Sequence, residues 1–204
     1  MNKKWYLIYN PFKKIAGWEA FGIGIILLCI TTVLGYYSNT VFYGISAQIV
    51  NSVTWSKIFL LQFTGLFITV AVMYATALLS AKHIRFQDIL GTVTLSKYPL
   101  VLMVLLNIFL GDKMMETTNK LLEVTGTLST TDAYRIFDDF SMSDFSIIML
   151  FALVSLVLLV WEIALLFNAF KVSTNLKGTK CTLLFIAAVL VSEILINVAV
   201  SKIY

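Results

Sequence analysis

One histidine, two cysteines and two prolines are spread through 204 residues, and charged side chains make up only 13% of the chain. Each scarcity excludes something. With His83 as the sole histidine, no pair can build a metalloprotease centre and no serine has an imidazole partner beyond it. No G-x-S-x-G elbow and no phosphate-binding G-x-x-x-x-G-K-S/T stretch is present. Cys29 and Cys181 come without a histidine cluster, so a zinc site of the usual spacing is excluded. They fall at different depths of two apolar runs, so no disulfide is expected and both read as small core residues. Glu162 and Glu193 could form a carboxylate pair, but nothing supplies the rest of a catalytic site. The expectation is a protein that is not an enzyme and needs no cofactor or metal.

Charge at about half the usual ~25% share also argues against an ordinary water-soluble domain. What fills the chain instead is apolar: 59% hydrophobic residues and a mean hydropathy of +0.90. Crossing a bilayer core takes roughly 20 consecutive apolar residues. Five stretches qualify: 18–37, 58–81, 89–110, 145–170 and 181–203. They contain 115 residues and only five of the 26 charges. Backbone groups in lipid must be paired internally, so runs of this length are helices. The fold class expected is all-α, a single membrane domain over 1–204 built as a bundle of five transmembrane helices. The first run follows Lys13 and Lys14 and exceeds a signal-peptide core, so it is expected to be retained.

Orientation follows from lysine and arginine in the short loops. With the N-terminus cytoplasmic, Lys3, Lys4, Lys13, Lys14, Lys82, Arg85, Lys171, Lys177 and Lys180 all lie inside, nine bases on 34 residues. The loop 111–144 carries seven acids against three bases and falls outside, as does the C-terminus. Basic residues at an inner face suit anionic lipid headgroups, each contributing about 1 kcal/mol near the surface. Lys13, Lys14, Lys82, Arg85, Lys171, Lys177 and Lys180 are the candidate contacts; scattered loop lysines give no reason to expect nucleic acid. The preference for lysine over arginine, 13 to 2, fits an AT-rich genome and a bacterial cytoplasmic membrane.

Outside the spans, residues 1–17 alternate Trp5, Tyr6, Tyr9 and Phe12 with lysines, as an interfacial arm does at headgroup level. Asn10 and Pro11 read as a helix cap and first turn. Phe42, Ile45, Ile49 and Val53 share a helical face, which predicts a short amphipathic helix at the outer surface. In the outer loop, Met114, Thr118, Leu121 and Leu122 line one helical face and Ile136, Phe137 and Phe140 mark a second piece. Ala71/Ala75 and Ala77/Ala81 have small-xxx-small spacing.

Charges inside spans mark either function or paired packing. Lys97 lies eight residues into the third span and Glu162 eight residues before the end of the fourth, both ~12 Å from the same membrane face at 1.5 Å per residue. Glu193, twelve residues into the fifth span, lies within about one helical turn of that depth. These positions predict an internal Lys97–Glu162 pair with Glu193 nearby. Thr92, Thr94 and Ser96 precede Lys97, and Pro99 follows with a kink, since proline leaves the Leu95 carbonyl without its helical donor. The hydroxyls either line a hydrated cavity or join neighbouring helices.

Three segments carry a family resemblance: Asn10-Pro11-Phe12 before the first span, FQDILGTVTLSKYP over 86–99, and WEIALLFNAFKVSTNLKGTK over 161–180. With five spans and a cytoplasmic N-terminus, the chain resembles the Yip-domain family, the five-helix proteins named for interaction with Ypt/Rab GTPases, and most nearly its small bacterial members. The resemblance implies non-enzymatic work as a membrane organiser or adaptor, with membrane-protein partners or homo-oligomers. Only about 17 residues precede the first span, where eukaryotic members present a long cytoplasmic region, which argues against small-GTPase binding. Two functions are left: a Yip-like scaffold organising lipids or partner proteins, and a small transporter or channel whose polar path is lined by Lys97, Glu162 and Glu193.

Overall fold

A computed structural model describes residues 6–50, 54–79, 84–126 and 142–203. In chain order the elements are α1 (Tyr6–Tyr9), a 3-10 turn (Pro11–Lys13), α2 (Gly17–Tyr37), β1 (Thr40–Tyr43), β2 (Ser46–Ile49), α3 (Trp55–Leu78), α4 (Phe86–Ser96), α5 (Pro99–Gly126), α6 (Met142–Thr174) and α7 (Gly178–Ile203). Five helical runs are long and apolar enough to cross a membrane: Gly17–Tyr37, Trp55–Leu78, Phe86–Thr117, Phe145–Thr174 and Gly178–Ile203. The protein is an integral membrane protein. The third run is α4 and α5 in series. Helix α5 continues to Gly126, so Met114, Thr118, Leu121 and Leu122, expected on a separate helical piece of the outer loop, lie on the helix of the third span itself, which runs on past the apolar run that ends at Thr117. Residues 127–141, with Ile136, Phe137 and Phe140, lie outside the described residues, as does Val53.

Close backbone approach holds α2 against α4. A Cβ on Gly24 would come 2.7 Å from the Leu95 nitrogen and 2.8 Å from the Thr94 carbonyl carbon. Helix α3 pairs with α7, and α6 packs on α4 and α5. The small-residue faces read from the sequence do not make these contacts: Ala71 and Ala75 point outward, Ala77 alone is buried and Ala81 lies outside the described residues. Glycine, which carries no Cβ at all, takes the closest positions instead. Helix α6 is the least covered of the five spans over its most apolar stretch, of which only 6% is buried, while Glu162, Leu165, Leu166, Ala169 and Phe170 further along it are buried.

The chain between the first two spans forms a two-stranded antiparallel hairpin rather than the expected amphipathic helix. Thr40 faces Ile49, Val41 faces Gln48, Phe42 faces Ala47 and Tyr43 faces Ser46. All of β1 is buried. Its side chains alternate as strand geometry requires. Val41 and Tyr43 join Leu61, Ile196 and Val200 of α3 and α7, while Phe42 joins Leu100 and Val104 of α5. Asn39, at φ 49°, ends α2 in the left-handed conformation and turns the chain back into the bundle. From Asn39 to Gly44 a strand rise of ~3.3 Å per residue reaches ~17 Å, about half the ~30 Å hydrocarbon thickness. The hairpin is therefore re-entrant, its tip near mid-depth, where non-helical backbone survives only if enclosed by protein.

The described part of the N-terminal arm packs against the bundle. Phe12 is 1% exposed and packs with Ala20, Leu95, Leu165 and Ala169. Trp161 Nε1 donates to the Ile8 carbonyl at 2.9 Å and Asn168 Nδ2 to the Tyr9 carbonyl at 2.8 Å. The Tyr98 hydroxyl donates to the same Ile8 carbonyl. The arm is thereby seated along α6.

Candidate functional site around the re-entrant hairpin

A two-residue hairpin ends its ladder at Tyr43 and Ser46, leaving the peptide groups of Gly44 and Ile45 beyond it. Gly44 adopts φ +61° while Ile45 stays at negative φ, the pattern of a type II′ turn. In hydrocarbon each unpaired peptide group costs several kcal/mol. The peptide group that joins Gly44 to Ile45 is met at both its ends by ionisable side chains. Lys97 Nζ donates to the Gly44 carbonyl at 2.5 Å, and the Ile45 N–H donates to Glu193 Oε1 at 2.9 Å.

Lys97 in turn lies 2.7 Å from Glu162 Oε1, with both side chains almost fully buried. The helix break places it there. Because Pro99 has no N–H, the Leu95 carbonyl accepts from Tyr98 N–H at 3.2 Å, and Lys97 N–H bonds the Thr94 carbonyl at 3.3 Å. These tightened i→i−3 bonds end α4 at Ser96, and α5 begins at Pro99. The expected kink is thus a break between two helices. An ammonium at the C-terminal end of α4 is also favourably placed against the helix dipole.

The structure brings Lys97, Glu162 and Glu193 together around the hairpin tip and leaves the hydroxyls out. Thr92 Oγ1 bonds the Asp88 carbonyl at 2.7 Å and Ser173 Oγ at 2.8 Å. Thr94 donates to the Leu90 carbonyl, and Ser96 to the Val93 carbonyl. All three are at most 1% exposed. They satisfy their own helix and, through Thr92, join α4 to α6. Cys181 is buried, whereas Cys29 faces outward and is no core residue; both are free thiols.

Two cavities touch the cluster. One, between Leu28, Phe42, Gln62, Leu66 and Lys97, measures about 10 Å³, room for about one water. The other, about 540 Å³, opens between β2, α5 and α6 and has Glu162 and Ser155 among largely apolar walls. Its size is that of a small-molecule pocket. Ser155 Oγ is buried without a hydrogen-bond partner.

Of the basic candidates, Lys13, Lys171 and Lys177 surround one concavity at the bundle end that holds the N-terminal arm. Lys14, Arg85 and Lys180 are exposed elsewhere, and Lys82 lies outside the described residues.

Gly44 and Ile45 are the site residues that sequence reasoning missed. The signal was there: β-branched and aromatic residues over Thr40–Tyr43, a glycine, then a second short run, which is a hairpin pattern.

Comparison of the chain with protein-family models, curated proteins and solved structures found no match.

Proposed function

We propose that this is a Yip-like, non-enzymatic integral membrane protein that organises membrane lipids or partner proteins, with its N-terminus in the cytoplasm and its home in a bacterial cytoplasmic membrane. The observation that carries the proposal is the use of the intramembrane charges. Lys97 and Glu193 are bonded to the backbone of the hairpin tip and Lys97 to Glu162. Groups committed to holding a plug at mid-depth are poor lining for an ion path. The gap beside Lys97 admits about one water and no file of them. The basic loops at one end supply attraction for anionic headgroups, and the outward face of α6, with Leu153, Leu156 and Val160 exposed, is available to lipid or to another membrane protein.

One observation favours the second reading, a small transporter: the 540 Å³ cavity reaches the Glu162 carboxylate. The two are separated by reconstituting the purified protein into proteoliposomes and measuring proton and cation flux. The organiser predicts leak no greater than that of empty vesicles, together with reproducible crosslinked partners in native membranes. Flux abolished by Glu162→Gln in a folded protein would overturn it.

A further inference from the structure

Helix α7 turns one face to the bundle and the other to lipid. Cys181, Phe185, Ala188, Ser192, Ile196 and Val200 are buried, and α3 packs against the helix. The opposite face is exposed through Leu183, Ala187, Leu190, Ile194, Asn197 and Ser201. Those positions follow one another at intervals of 4, 3, 4, 3 and 4 residues, the a/d repeat of a left-handed helix pair. We propose that this seam is a homodimer interface, in which α7 of one copy lies parallel to α7 of a second and their two Asn197 amides bond each other.

Exposed leucines alone select no partner, since lipid tails are as apolar as they are. Helix α6 presents a face of that kind in Leu153, Leu156 and Val160. Asn197 makes the difference on α7. Counted from the start of the apolar run at Cys181, it lies ~24 Å along the helix at 1.5 Å per residue, still inside a hydrocarbon layer ~30 Å thick. Its Nδ2 donates to the Glu193 carbonyl at 2.8 Å. Glu193 is one turn nearer the middle of the span, so the amide is drawn away from the membrane surface. That bond uses one N–H. The Oδ1 and the second N–H of this exposed amide have no partner among the described residues, and lipid offers none. An amide carries both a donor and an acceptor, so a second copy at the same depth supplies what each lacks: Nδ2 of one donates to Oδ1 of the other, and the reverse.

The rest of the seam suits two strands. Ile194 at an a position with Leu183 and Leu190 at d positions is the combination that favours a parallel dimer. Ala187 and Ser201, at the other a positions, are small and let the two backbones approach. Ser201 meets its own need at the Val198 carbonyl, 2.9 Å away. A two-fold axis along the membrane normal keeps both copies in one orientation and sets each seam residue against its own counterpart, so the surface is complementary to itself. The inference is independent of whether the bundle organises or transports.

The test uses the full chain in liposomes, in a Cys29→Ser background, since Cys29 is the exposed thiol and Cys181 is buried. Leu190→Cys places a thiol in the seam; its controls are Leu195→Cys on the flank of α7 and Leu153→Cys on α6, both at exposed positions. Oxidation is expected to give covalent dimers from Leu190→Cys and not from the controls. Energy transfer between N-terminally labelled copies, followed as added lipid dilutes them, gives the dissociation constant. Asn197→Leu is expected to weaken it about 5- to 30-fold, and Asn197→Gln, which keeps an amide, to weaken it less. Matched melting curves verify that the variants fold. A wild-type protein that stays monomeric at every lipid ratio, crosslinking at Leu153→Cys equal to that at Leu190→Cys, or an Asn197→Leu dimer as tight as wild type overturns the proposal. Crosslinking of Leu190→Cys in native membranes to a different protein alone assigns the face to that partner and overturns it too.

Discussion

Replacing Lys97 by methionine keeps most of the side-chain volume and removes one charge. In the folded protein this strands two groups at once. The Glu162 carboxylate, 2% exposed, loses its cation, and the Gly44 carbonyl loses its donor. Breaking a buried ion pair from one side costs ~3–5 kcal/mol, and an orphaned buried acceptor adds ~1–3 kcal/mol. Because the two losses share one atom they do not add fully, and we expect a total of about 4–6 kcal/mol. That is a large part of the ~5–15 kcal/mol available to a domain. Glu162→Gln alone leaves a buried ammonium that still holds the Gly44 carbonyl and keeps only the Glu193 carboxylate as a nearby counter-charge, so the expected cost is at most ~3–5 kcal/mol. The double variant Lys97→Met/Glu162→Gln carries neither charge. It should lose only the Gly44 hydrogen bond, ~1–3 kcal/mol, so it melts above either single variant. Denaturant unfolding in detergent, followed by fluorescence of the four tryptophans, gives all four corners of the cycle. A Lys97→Met protein within about 1 kcal/mol of wild type, or a double variant as unstable as the sum of the singles, would refute the reasoning, because a side chain facing water behaves in that way.

Gly44→Ala should cost about 2–3 kcal/mol by the same assay, because φ +61° disfavours an L side chain and the new Cβ meets the Glu193 carboxylate. Adding Glu193→Ala to it removes the clash but also the acceptor of the Ile45 N–H, so the double variant should be less destabilised than the sum of the two singles without returning to wild type. Glu193→Gln retains an acceptor for the Ile45 N–H and should be nearly neutral in hydrogen exchange at that amide, whereas Glu193→Leu should speed exchange and cost ~1–3 kcal/mol. Gly24→Val drives a Cβ into the backbone of Thr94 and Leu95 and should cost at least ~1–3 kcal/mol, while Gly22→Ala, with nothing within 4 Å, should stabilise α2 by up to ~1 kcal/mol. Equal melting of the two glycine variants would contradict the α2–α4 packing.

Apolar run length determined by itself that this chain has five helices able to cross a membrane, since no other backbone arrangement satisfies twenty consecutive residues in lipid. Residue rise placed Lys97 and Glu162 at one depth from their positions alone, and in the structure they form an ion pair. Pro99 announced the interruption of the third span, because a missing N–H is a local property. The state of residues 40–49 was a different matter. Phe42, Ile45 and Ile49 suit a helical face, and the same ten residues suit two short strands. A segment that short does not choose by its own period. Its partners chose: Leu61, Val104 and Ile196 wall it in, and its tip is held by Lys97, 53 residues from Gly44, and by Glu193, 148 residues from Ile45. The role of those charges was hidden for the same reason. The sequence lists an ammonium and two carboxylates in apolar helices; only the tertiary structure brings an unpaired peptide turn to them, and that turn is what a buried charge can satisfy.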